Sequence, residues 1–315
     1  DEIDSYGTFN NENNLTNDGD FINEDGATLN NAGTFDNDFL LQNNSGGTIS
    51  NSGNLTNTGT LNNTGNFNNY GVLNNSGSMS NSGIVYVTGG GSLDTTGGQL
   101  AGPSVLVSNG TLTLGTGSDV VISGLMTLET NGTVSVFGGE LDVNKIILGD
   151  GTFNFTGGAL NVDTFNGNLN STGGTLSPGN SPGTTTVNGD YSQDATSTLL
   201  IEIEGLIAGT EHDVLLVGGT ATLDGTLEFD VDYSGLTLGD SFNILEAEVI
   251  AGSFATITNE QINANWKWAL DYKVDLSGTT DVLTATVTAV PIPAAVWLFG
   301  SALGLLGWMR RRQLH

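Results

Sequence analysis

The chain has 315 residues, 47 of them glycine, and no cysteine, so disulfide bridges and thiolate metal sites play no part in it. Its formal net charge is −28; all 34 acidic residues lie at or before Asp281, and the basic residues in that stretch are Lys145, Lys267 and Lys273. Such a surface lacks the basic patches that phosphate contacts require, which argues against nucleic acid as a partner, while the acidity keeps a β-rich chain soluble and self-repelling.

The opening "DEIDSYG" has no initiator methionine and is expected to be a mature N-terminus left by signal cleavage. From Gly7 to Tyr86 the chain repeats every six residues. The pattern is cleanest in "GNLTNTGTLNNTGNFNNYGVLNNSGSMSNSG" (53–83). There, glycine (Gly53, Gly59, Gly65, Gly71), an apolar residue (Leu55, Leu61, Phe67, Leu73) and asparagine (Asn57, Asn63, Asn69, Asn75) fall at offsets 0, +2 and +4.

These offsets share one parity, and in an extended chain same-parity side chains face one side. The other three positions vary among Thr, Asn, Ser, Val and Tyr, as a solvent face does. The pattern predicts an all-β, parallel β-solenoid in which like residues stack over like, asparagines form amide ladders, and glycine makes corners through its tolerance of φ > 0. One apolar residue per hexad is a thin core, so stability must come from stacking many. Two-residue insertions at Asp25-Gly26 and Ser45-Gly46 read as small corner loops. A left-handed hexapeptide helix uses three hexads per coil and a right-handed one a different length; the sequence leaves both open. The array resembles the left-handed acyltransferase repeat in pairing Leu61 with Gly65, but it lacks the histidine between coils that those enzymes use.

Beyond "VTGGGS" (87–92), stretches such as "GTVSVFGGELDV" (132–143) and "GTFNFTGGALNV" (151–162) alternate aliphatic with polar residues between glycine pairs. They predict longer strands and wider coils over 88–188, on top of the hexad segment 1–87. Hydrophobic density rises again over 189–289, a β cap region whose last strands are expected in "NANWKWALDYKVDLSGTTDVLTATV" (263–287). Such a cap covers the open edges that a bare solenoid end leaves. This part resembles the distal β-helix of autotransporter passengers at Leu176-Ser177-Pro178-Gly179-Asn180-Ser181-Pro182-Gly183, Gly189-Asp190-Tyr191, Asp213-Val214-Leu215 and Gly225-Thr226-Leu227. That resemblance implies a fold and no activity.

The tail, 290–315, carries an uncharged apolar run followed by Arg310, Arg311 and Arg312, long enough for one membrane-crossing helix with the arginines cytoplasmic. With Val290-Pro291-Ile292-Pro293-Ala294 ahead of that run, it resembles a PEP-CTERM sorting signal of the VPLPA type, with isoleucine where leucine is usual. The resemblance implies an exosortase-type processing enzyme in a Gram-negative bacterium, transient membrane anchoring, export to the cell surface or beyond, and an association with exopolysaccharide and biofilm.

No nucleophile elbow, phosphate loop or zinc spacing is present, so no catalytic, metal or cofactor residue is assigned. His212, between Glu211 and Asp213, reads as a polar residue at a strand start rather than as an acid–base site. Trp266 and Trp268 share a face and are expected to pack over the end of the stack. The expected function is a non-enzymatic structural protein of the cell surface, biofilm matrix or extracellular fibres, self-associating end to end. An adhesin or polysaccharide binder is the alternative.

Overall fold

A computed structural model describes residues 2–179, 182–273 and 280–291. Among them the regular structure is entirely β. In the hexad segment each repeat forms one four-residue strand, from Thr8–Asn11 to Ser78–Asn81, and Glu2–Ser5 adds a rung ahead of the first recognisable hexad. Each strand pairs in parallel with the strand three hexads later: Glu2–Ser5 with Asp20–Asn23, Thr8–Asn11 with Thr28–Asn31, Asn14–Asn17 with Thr34–Asn37. Three hexads therefore close one coil.

The apolar offset points inward everywhere. Leu29, Phe35, Leu41, Ile49, Leu55, Leu61, Phe67 and Leu73 are fully buried. In the first coils the inward rings of Phe9, Phe21 and Phe35 meet edge to face at 5.1 and 5.6 Å, filling the centre of the coil. The insertions stand where the sequence places them, as turns with Gly26 at φ +74° and Gly46 at φ +77°.

The repeat glycines have a different role from the one their sequence suggests. Gly53, Gly59, Gly65, Gly71 and Gly77 are absent from the left-handed region; up to Gly83, positive φ among the described residues is confined to Gly26 and Gly46. What excludes a side chain is the coil beneath. A Cβ built on Gly53 would press on the carbonyl oxygen of Gly33, and one on Gly59, Gly71 or Gly77 on that of Phe39, Gly53 or Gly59, all well under the 3.0 Å that real Cβ atoms keep. The corners are glycine because backbone lies on backbone there. Asn13, Ala27 and Phe39, in the first two coils, are the departures from glycine in this position.

One parallel ladder continues past the hexad segment, with steps of 16 to 21 residues from Ser78 to Thr175 against 18 or 20 below. It runs Glu2, Asp20, Leu40, Thr60, Ser78, Gln99, Asp119, Glu140, Ala159, Thr175, Thr198, Thr226, Thr256, each paired with the next. Pairing does not break near residue 88 or residue 189. The inward column beside it, from Leu41 and Leu61 to Leu199 and Leu227, stays buried throughout.

The far end changes direction. Ser241–Gly252 pairs in parallel with Val214–Leu223 on one side and antiparallel with Asp281–Ala289 on the other. Trp266–Lys273 then adds antiparallel to Asp281–Ala289. This end differs from the coil below it in carrying two antiparallel strands, while Thr256–Thr258 is paired on one side among the described residues. Trp268 is buried beneath it, stacked on Phe229 at 4.7 Å and edge-on to Phe242 at 5.7 Å. The expected C-terminal hydrophobic helix falls on residues 292–315, outside the described residues, and no described helix is long and apolar enough to cross a membrane.

Candidate functional site: the asparagine columns

A primary amide has two N–H donors and an oxygen acceptor, so an amide stacked on its own kind can give to the next rung, receive from the last and keep one donor spare. The fourth offset of every hexad meets that condition. Asn11 donates to Asn31 at 2.8 Å, Asn31 to Asn51 at 2.7 Å and Asn51 to Asn69 at 2.8 Å. A second column runs Asn17 to Asn37, Asn37 to Asn57 and Asn57 to Asn75, each at 2.7 Å. A third runs Asn23 to Asn43 at 2.6 Å, Asn43 to Asn63 at 2.5 Å, and Asn63 to Asn81.

The spare donor fixes the corner. Asn11 also gives to the carbonyl of Thr34, Asn17 to Leu40, Asn31 to Asn54 and Asn37 to Thr60, at 2.7 to 3.0 Å. In each case the acceptor begins the next strand of the coil above. One side chain thus ties two coils and one corner together. These asparagines are buried, Asn57 fully and Asn81 at 5% exposure. Apart from the Asn23 oxygen, their buried amide groups have partners, which removes most of the usual cost of a polar core.

The sequence-derived stacking residues all lie in these columns: Gly53, Gly59, Gly65 and Gly71 at corners, Leu55, Leu61, Phe67 and Leu73 in the apolar core, and Asn57, Asn63, Asn69 and Asn75 in the ladders. At the lower end, Glu2–Ser5, Thr8–Asn11 and Asn14–Asn17 are each paired on one side among the described residues. The acceptor end of the third column, Asn23 Oδ1, is buried without a partner, because Ser5 and not an asparagine lies in register beneath it.

Of the sorting motif, Val290 and Pro291 are described, and the Val290 amide donates to the Asn265 carbonyl at 2.7 Å. Ile292, Pro293, Ala294, Arg310, Arg311 and Arg312 lie outside the described residues.

Sequence reasoning passed over Asp213. It precedes Val214–Leu223 and is fully buried, accepting from the Gly183 amide at 2.7 Å and the Glu202 amide at 2.9 Å. Burial pushes its carboxyl up to about 7, against the pull of those two amides and with further help from the charges of Glu202 and Glu204. His212 beside it is also buried, edge-on to Phe242 at 5.1 Å, and burial lowers its pKa below the usual histidine value. Among the described residues no group of three or more His, Asp or Glu is placed to hold a metal ion.

No protein-family model matches the chain, and no curated protein matches it significantly.

Proposed function

We propose that this is a non-enzymatic, exported structural rod of a bacterial cell surface or extracellular matrix. The observation that carries the reading is the three asparagine columns. They spend the buried chemistry of the first coils on holding rungs in register rather than on shaping a pocket. Thirteen ladder residues from Glu2 to Thr256 make twelve steps, and at about 4.8 Å per step the stack is roughly 58 Å long.

The likeness of the tail to an exosortase-processed signal supports export, membrane anchoring before processing and a place near exopolysaccharide. Self-association by end-to-end stacking of such rods is part of the same reading; Thr256–Thr258, the last parallel rung, is paired on one side among the described residues.

Negative-stain imaging of the purified protein at high concentration and physiological salt is the test. Paired or longer assemblies joined end to end are expected. Monodisperse single rods under those conditions remove the self-associating part of the proposal.

A further inference from the structure

The far end of the rod carries a feature that the stacking role does not use. Between the last coil and the antiparallel strands lies a cleft of about 520 Å³, within the range usual for small-molecule sites. Three aromatic residues line it, Phe229, Tyr233 and Trp266, together with Asp230, Asn259, Gln261 and Asn263.

Trp266 shares a face of its strand with Trp268, but the two have parted roles. Trp268 is sealed into the core against Phe229, whereas Trp266 is half-buried at the cleft wall. The three amide side chains are each fixed to backbone by one end. Asn259 donates to the Phe229 carbonyl at 2.8 Å, and Gln261 donates to the Asn263 carbonyl at 3.0 Å. The Asn263 side-chain oxygen accepts from the amides of Asn265 and Trp266 at 2.9 and 3.0 Å. One polar end of each is thereby committed, and the Asn259 oxygen, Gln261 oxygen and Asn263 nitrogen are left for another partner. Asn259 also holds φ at +56°, a conformation that non-glycine residues adopt at a cost and that clusters at functional sites.

We propose that this cleft binds a neutral oligosaccharide, with Trp266 and Tyr233 as stacking platforms for the C–H face of a sugar ring and Asn259, Gln261 and Asn263 as partners for its hydroxyls. An aromatic ring offers apolar area with little rotamer freedom to lose, and amides can both donate to and accept from hydroxyl groups. Among the described residues no lysine, arginine or histidine lines the cleft, while Asp230 does, so anionic sugars are disfavoured. The inference is independent of self-association, because it rests on the side chains of the cleft and not on the asparagine columns.

The test uses the full chain and four tetrasaccharides: maltotetraose, cellotetraose, chitotetraose and tetragalacturonic acid. Binding is followed by isothermal titration and by saturation-transfer NMR. At least one neutral sugar is expected to bind, and tetragalacturonic acid to bind at least tenfold more weakly. Trp266→Ala and Gln261→Ala should each weaken the neutral sugar, the former tenfold or more, while Trp266→Phe keeps most of the affinity. Far-ultraviolet circular dichroism is expected to stay unchanged in all three variants. Absence of binding by every neutral sugar at 10 mM, preference for the acidic sugar, or undiminished binding by a folded Trp266→Ala would each overturn the proposal.

Discussion

Leu61 and Asn63 point into one of the lower coils; Leu112 and Leu114 point into one of the upper coils. The two regions share a ladder and a direction, yet the second inward position changes chemistry. Below Val87 it is asparagine, and from Val87 onward it is mostly aliphatic, as at Val107, Leu114, Val136 and Val143. Register follows the same divide. Pairings among the hexad strands show no shift, and successive asparagines stand 20 or 18 residues apart. In the upper region shifts appear between Gly102 and Ser104, between Ile122 and Leu125 and between Val217 and Thr220.

Coil length also drifts upward there, with Thr226 standing 28 residues after Thr198, and Thr256 a further 30 on. An amide column demands that every rung present its amide at one height, since a slip leaves buried donors and acceptors unpaired. An apolar column asks only for burial, so bulges and loops can enter between rungs.

The sharpest way to break this contrast is to cut a column. Asn37→Ala removes an acceptor for Asn17 and donors to Asn57 and the Thr60 carbonyl. At about 1–3 kcal/mol per orphaned buried group, a loss of roughly 3–5 kcal/mol is expected, seen as faster hydrogen exchange in the coils around it. Replacing the whole column, Asn17, Asn37, Asn57 and Asn75, with valine should recover more than half of that, because no amide of the column is left unpaired and only the corner carbonyls lose a side-chain donor. If the single and whole-column variants lose the same stability, register in the lower coils does not depend on amide pairing.

The corner glycines give the next largest effect. Gly53→Ala sets a methyl group against the Gly33 carbonyl and is expected to cost about 2–3 kcal/mol by overpacking. Gly83→Ala, whose Cβ meets its nearest atom at 3.2 Å, should cost less, and Gly7→Ala, with nothing within 4 Å, close to nothing. Thermal denaturation of the three variants reads the order directly; an equal loss at Gly7 and Gly53 would refute the close-approach account.

The effect that needs a pH series to see lies in the upper region, where Asp213 makes stability pH-dependent. Its folded value of about 7 lies above the ordinary 3.8, so the neutral carboxyl is the form that the fold favours. That contribution is complete below about pH 4 and is lost as pH rises through about 7, at no more than about 1.4 kcal/mol per pH unit. Asp213→Asn should flatten the slope between pH 4 and 7 in denaturant titrations. A slope unchanged by the substitution would assign it to other groups.

How much of this was legible in the sequence depends on the distance over which each cause acts. Parity within a hexad placed Leu61 and Asn63 inside and Asn62 outside, because side-chain alternation is local to an extended strand. Insertions at Gly26 and Gly46 were legible for the same reason. The glycine corners were located correctly but explained wrongly, since the atoms that exclude a side chain belong to a residue one coil away. Asp213 was overlooked because the Gly183 amide it binds is 30 residues distant and its burial is made by the coils on either side.

The sequence by itself determined that the rungs repeat, which side of each faces inward and that amide meets amide, because these follow from backbone periodicity and the valence of the side chains. Only the tertiary structure decided that three hexads close a coil, that the far end turns antiparallel, and that Trp266 faces a cleft while Trp268 is buried. Those outcomes rest on pairing between residues 18 to 45 positions apart, and no local pattern records which distant edge a strand will meet.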